Sequence, residues 1–271
     1  MSYLKVSNFT KKINKNVIIE DVSFSLEKGE VLVILGKSGA GKTTLLRNIN
    51  FLDFPDTGTL ELDGEMLYNY VDKKISSKEL QNKHKLIGFV FQNFNLFPNY
   101  SVIENVTLAV KLENKEKLKL FKKNYPYKNI KRQAIKEYKQ KLIEETNNKA
   151  LEILKELGLS EKINNYPFQL SGGEQQRVAI SRALILSPKV LCFDEPTSAL
   201  DPGLTNEVIK EINKLKEQKQ TMLIITHELD FANKVADKII VMEDGKIIEE
   251  KENIKWKKNT NLTNYLKRLL R

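Results

Sequence analysis

Apolar and polar residues alternate over positions 1–35, most clearly in Tyr3-Leu4-Lys5-Val6 and Val22-Ser23-Phe24-Ser25-Leu26. Period-two alternation predicts antiparallel strands with one face buried. The unbroken apolar run Val31-Leu32-Val33-Ile34-Leu35 instead predicts a strand buried on both faces. A helix is expected from 44 to 50, and Pro55-Asp56-Thr57-Gly58 turns the chain into a strand at 59–62. Residues 68–84 are polar and read as a loop, and 85–92 as a strand ending on Gln92. From Ser101 the period becomes helical and holds to about Leu157, where Ala150, Leu151, Ile153, Leu154 and Leu157 share a face and Gly158 stops the helix. A further helix is predicted from Ser171 to residue 186, then strand 190–193, helix 203–218 and strand 222–225. Helix 231–236, strand 238–242 and strand 246–249 follow, and 260–271 reads as a short basic amphipathic helix. Strands alternating with helices imply an α/β fold, a parallel sheet covered on both faces. The helical stretch about 93–187 interrupts a core formed by 1–92 and 188–250, with a basic tail at 251–271.

Chemistry enters where the buried strand ends. Gly36-Lys37-Ser38-Gly39-Ala40-Gly41-Lys42-Thr43, followed by Thr44, has the spacing of a phosphate-binding loop between strand and helix. Glycines let backbone amides turn toward phosphate oxygens, and the positive end of the next helix adds to the field. Lys42 is placed to bridge the β- and γ-phosphates, and the Thr43 hydroxyl to ligate Mg²⁺. Asp194 and Glu195 close another apolar run; the first suits Mg²⁺ and the second can accept a proton from an attacking water. Ser171-Gly172-Gly173-Glu174 reads as a capping box. Its central glycines also suit a second phosphate-binding helix start.

Composition narrows the class. Among 271 residues, 41% are hydrophobic and no run approaches eighteen apolar positions, so no membrane span is predicted. Met1-Ser2-Tyr3 leads straight into strand-like sequence, which predicts no signal peptide. A single cysteine, Cys192, excludes an internal disulfide and reads as a small core residue. The net charge of +10 is local. Residues 111–145 hold twelve Lys/Arg against five Glu, a contribution of +7. A solvated helical insertion explains this, with an anionic-lipid or partner contact as the other reading.

Further motifs carry a family resemblance over residues 3 to about 250. Leu170-Ser171-Gly172-Gly173-Glu174-Gln175-Gln176-Arg177 resembles the signature of the nucleotide-binding subunits of ATP-binding-cassette (ABC) transporters. Gln92 resembles their Q-loop glutamine, Ser198-Ala199-Leu200-Asp201 their D-loop and His227 their switch histidine. The runs Phe91-Gln92-Asn93-Phe94-Asn95-Leu96-Phe97-Pro98 with Val102–Val106, and Thr226-His227-Glu228-Leu229-Asp230-Phe231-Ala232, are similar to importers of polar amino acids. The resemblance implies a P-loop ABC core with an N-terminal antiparallel β subdomain and an inserted α-helical subdomain. It implies a head-to-tail homodimer, or a pair with a closely related ATPase subunit. ATP would lie between residues 36–44 of one copy and Ser171, Gly172, Gly173, Glu174 and Asp201 of the other. Thr43, Asp194 and Gln92 would organise Mg²⁺, Glu195 would polarise water, and His227 would meet the γ-phosphate. Gln92 would relay nucleotide state to a transmembrane permease, and indirectly to an extracellular solute-binding protein, from the cytoplasmic face of the membrane. An exporter or lipoprotein-releasing ATPase would share these catalytic residues. Without a cysteine metal set, a long heptad array or a second cassette, a nucleic-acid partner is not favoured. The chain departs from the family at Ile13, where an aromatic ring usually stacks on adenine; Phe9 is expected elsewhere on that strand. The segments 68–84 and 111–145 are longer than usual, and neither interrupts a motif.

Overall fold

The computed structural model describes residues 2–71, 75–124, 131–200 and 202–252. Asp201 and the expected helix at 260–271 lie outside the described residues. The chain divides into two compact units, one of residues 1–92 with 189–271 and one of residues 93–188.

The first unit holds two sheets. β1 (Leu4–Ile13), β2 (Asn16–Leu26), β4 (Thr57–Leu62) and β5 (Glu65–Asn69) form an antiparallel sheet in the order β2-β1-β4-β5. Six strands form the other sheet: β3 (Val31–Leu35), β6 (Ile87–Val90), β7 (Val190–Asp194), β8 (Thr221–Thr226), β9 (Lys238–Glu243) and β10 (Lys246–Glu252). Their order is β10-β9-β3-β8-β7-β6, parallel except for β10 at the edge. Every residue of β3, β7 and β8 is buried, as the unbroken apolar runs require. Helices α1 (Lys42–Ile49), α2 (Ser77–Leu86), α6 (Thr205–Glu217) and α7 (Leu229–Val235) complete the unit. Cys192 is a core residue of β7, and burial pushes its thiol pKa up to about 12, so it is inert as a nucleophile.

The polar stretch read as a loop at 68–84 is mostly structured: β5 runs to Asn69 and α2 starts at Ser77. α2 buries no residue, which removes the apolar periodicity that would announce it. Local contacts form it instead. The Ser76 hydroxyl accepts from the Glu79 amide, and Lys83 pairs with Glu79 at 2.7 Å one turn away. Because α2 ends at Leu86, the strand expected from residue 85 begins only at Ile87. The tail expected from 251 likewise yields its first two residues to β10.

The second unit is helical. α3 (Val102–Asn124) and α4 (Lys131–Glu156) lead to α5 (Gly172–Leu184). Leu142, Ala150, Leu154 and Leu157 supply buried positions at helical spacing, while Leu151, expected on that face, is 41% exposed because it lies about 100° around the helix from Ala150. Asn105 organises the loop before α3: its side chain accepts from the Phe97 amide and donates to the carbonyls of Phe97, Tyr100 and Ser101.

Candidate nucleotide site at the ends of three parallel strands

In a parallel sheet the carboxyl ends of the strands form one edge, and ligands bind there. β3 delivers the 36–43 loop to that edge, β7 delivers Asp194 and Glu195, and β8 delivers Thr226 and His227. The register ties them: Leu35 pairs with Thr226, and Asp194 with Ile225. The Glu195 amide donates to Ile225 O at 3.0 Å and the Gly36 amide to Thr226 O at 3.3 Å.

Glycine is obligatory at two places in the loop. A Cβ at Gly36 would lie 2.3 Å from the Met242 carbonyl oxygen. At Gly41, with φ +93°, it would lie 2.6 Å from Ile18 O. Gly41 is also the N-cap of α1, without a side-chain cap, so the first amides of the helix are left for an outside acceptor.

The Lys42 ammonium is buried, with 3% exposure, and donates to Gly36 O at 2.8 Å and Lys37 O at 2.9 Å. Glu195 Oε1 lies 3.5 Å away. Burial lowers the Lys42 pKa, and Glu195 opposes that shift. A buried cation held mainly by the loop's own carbonyls is a site made for a stronger anionic partner. Thr43 Oγ1 donates to Asp194 Oδ1 at 3.2 Å. Burial pushes the Asp194 pKa up, against the Thr43 hydrogen bond that lowers it. A hydroxyl and a carboxylate are hard oxygen ligands, the donor set that suits Mg²⁺. Among the described residues no cluster of three His, Cys, Asp or Glu could hold a metal by itself.

Glu195 sits at φ +45°, a strained setting for a residue with a side chain. His227 Nδ1 lies 3.2 Å from its Oε2. The Ser198 hydroxyl and amide both donate to Glu195 O, at 2.9 and 3.2 Å. Thr197 donates to Glu228 Oε1 at 2.5 Å, so the segments after β7 and β8 are tied to each other. Lys42, Thr43, Asp194, Glu195 and His227 therefore form one constellation.

Gln92 lies in the exposed turn after β6, and no hydrogen bond joins it to Thr43 or Asp194 among the described residues. Phe9 is fully buried, edge-on to Tyr68 at 6.4 Å, and cannot stack on a base. Ile13 is 44% exposed.

The Ser171–Glu174 capping box is formed. Glu174 donates its amide to Ser171 Oγ at 3.3 Å, and Ser171 donates its amide to Glu174 Oε2 at 2.8 Å. Lys162 pairs with Glu174 at 3.3 Å. Two residues were not singled out by the sequence. Arg182 donates to Asn95 O at 2.6 Å and Phe94 O at 2.7 Å, holding consecutive residues at φ +59° and +46° just after Gln92. Asn105, four residues after Ser101, holds the same loop from its other end. Only the fold exposes either role, since an Arg or Asn on a helix usually faces water.

Comparison with known proteins identifies the family. The family model described as ABC transporter matches residues 19–198. The L-cystine transport system ATP-binding protein TcyN of Escherichia coli K12 is 41% identical over 92% of this chain and 90% of its own. The glutamate/aspartate import ATP-binding protein GltL of the same organism is 40% identical over 91% and 90%. Among solved structures, a dimeric ATP-binding cassette in a post-hydrolysis state with ADP and Pi has a TM-score of 0.70 at 32% identity, covering 92% of this chain and 98% of that one. The ADP conformation of another ABC transporter cassette has a TM-score of 0.76 at 28% identity, covering 100% and 98%. The chain belongs to the ABC transporter family, as an ATP-binding cassette that hydrolyses ATP.

Proposed function

We propose that this chain is the energy-coupling ATPase subunit of an ABC importer for polar amino acids, acting as a head-to-tail dimer on a membrane permease. The observation that carries the reading is the Lys42–Thr43–Asp194–Glu195–His227 constellation in a chain whose similar relatives are named for cystine and glutamate/aspartate transport. No helix among the described residues is long and apolar enough to cross a membrane, so transport needs a spanning partner.

In this reading Lys42 exchanges the carbonyls of Gly36 and Lys37 for phosphate oxygens, a stronger, charge-assisted pairing. Thr43 and Asp194, joined by Gln92, would hold Mg²⁺, which would supply positive charge against the phosphates. Glu195 accepts the proton of the attacking water, and His227 keeps that carboxylate oriented while reaching the γ-phosphate. Ser171, Gly172, Gly173 and Glu174 meet the nucleotide held by the partner copy, and Asp201 lies in the connecting D-loop. Arg182 and Asn105 fix the loop after Gln92, so movement of Gln92 is passed on as displacement of that loop. The exposed aromatic residues Phe97, Tyr100 and Phe168 in the same unit give a permease an apolar surface to dock on.

The test is uptake of a panel of labelled amino acids by cells producing wild type or Glu195→Gln. Loss of uptake of one or more polar amino acids supports the reading. Unchanged uptake across the panel overturns the importer assignment while leaving the ATPase intact.

A further inference from the structure

The longest departure from the family pattern is the lysine-rich pair of helices α3 and α4, which pack on each other. The Phe121 and Tyr138 rings stack at 4.3 Å and 18°. Farther along, Asn114 donates to Thr146 Oγ1 at 2.9 Å and Leu142 O at 3.3 Å, and Thr146 donates to Leu142 O. A cleft of about 350 Å³ opens between α3 and α4, within the size range of small-molecule sites.

Its lining follows from helical spacing. Lys111, Lys115 and Leu118 fall at i, i+4 and i+7 on α3; Lys139, Leu142, Ile143 and Thr146 fall at i, i+3, i+4 and i+7 on α4. Leu142 and Thr146 are buried floor, Leu118 is half-buried, and Ile143 with the three lysines is exposed at the rim. The floor polar atoms bond one another, so the cleft offers an ordered, mostly apolar surface. The rim is different. Lys117 and Lys141 pair with glutamates on their own helices, at 3.2 and 3.9 Å. Among the described residues no ion pair engages Lys111, Lys115 or Lys139.

We propose that the α3–α4 cleft binds a long-chain carboxylate, its tail against Leu118, Leu142 and Ile143 and its head among Lys111, Lys115 and Lys139. A single chain suits the volume, and lysines act as point cations without the planar fork with which arginine grips phosphate. Such a ligand would brace the helix pair and make the helical unit sensitive to free fatty acid. The cleft is lined by residues of the helical unit alone, none of them in the catalytic constellation, so the proposal does not depend on what the transporter carries.

The probe is sodium decanoate below its micellar concentration, titrated calorimetrically into the full chain, with hexanoate and decanol as comparators. The expected result is saturable one-to-one binding that tightens about fourfold per added methylene. Decanol should bind roughly tenfold more weakly, since each exposed lysine contributes a modest amount. Lys111→Gln/Lys115→Gln/Lys139→Gln should reduce decanoate to the decanol level. Ile143→Gln should weaken both ligands. ATP hydrolysis by these variants should match wild type, which shows that they are folded. Absence of decanoate binding, equal affinity for hexanoate, or an unaltered affinity in the triple variant would overturn the proposal. Binding to phosphatidylglycerol vesicles without decanoate binding would overturn it in favour of a membrane-surface contact.

Discussion

The starts of α1 and α5 pose one physical problem, unsatisfied amides at the positive end of a helix, and resolve it in opposite ways. At α1 the cap is Gly41, which offers no side chain, and a buried ammonium stands beside the open amides. At α5 Ser171 and Glu174 cap each other and Lys162 pairs with Glu174. No side chain caps the first start, and the nearest carboxylate, Glu195, stays 3.5 Å from Lys42, so the start is shaped to take an anion from outside. The second satisfies its Ser171 and Glu174 amides internally, and its Lys162 is a half-exposed cation. That asymmetry accords with the proposed sharing, in which α1 would capture the phosphates and α5 would meet a nucleotide held by another copy.

The comparison can be broken from either side. The largest expected effect is on chemistry. Glu195→Gln removes the proton acceptor and should lower turnover about 10²–10⁴-fold while ATP still binds. Single-turnover kinetics and nucleotide binding separate the two. Next is Lys42→Met, which should weaken ATP binding about 10–100-fold, the loss of a charge-assisted hydrogen bond, as measured by fluorescent-nucleotide titration. Ser171→Ala should leave monomer ATP affinity unchanged, cost about 1 kcal/mol of stability through the lost cap, and weaken the ATP-dependent dimer. Thermal unfolding and light scattering read those two effects.

The smallest effect is on pH dependence, and its sign differs between the two sites. Burial raises the Asp194 pKa, so in the nucleotide-free protein this group's contribution to stability falls as pH rises from its ordinary value of 3.8 toward the raised one. Asp194→Asn should remove that slope and raise the melting temperature at neutral pH. Glu174 is the opposite case: the Ser171 amide, then Lys162, holds its carboxyl below the ordinary 4.5. Its contribution is present above pH 4.5 and is lost as pH falls through the depressed value, and Glu174→Gln should flatten that acid limb. Melting curves between pH 3 and 8 distinguish the slopes.

Much of this was legible from residue order because it is locally encoded. Buried parallel strands announce themselves as apolar runs, and the phosphate loop is contiguous, so β3, β7, β8 and the loop could be read directly. The α5 cap was legible for the same reason, its partners being three residues apart. α2 was missed because a helix that buries nothing shows no period; its signal was the cap at Ser76 with Glu79 three residues on. The clamp of Arg182 on Phe94 and Asn95 spans 87 and 88 positions, a separation no local pattern records. The departure at Ile13 was visible in sequence, while the burial of Phe9 against Tyr68 needed the β1–β4–β5 sheet.

The central claim is that a working site takes its loop from one copy and its signature from another. Mixing Lys42→Met with Ser171→Arg, both in the Glu195→Gln background, tests it directly. Each variant alone should form no ATP-dependent dimer. A mixed dimer regains one intact loop opposite one intact signature, so the mixture should yield dimers that trap one ATP per pair. If the mixture stays monomeric, or if either variant alone forms ATP-trapping dimers, the shared site is contradicted.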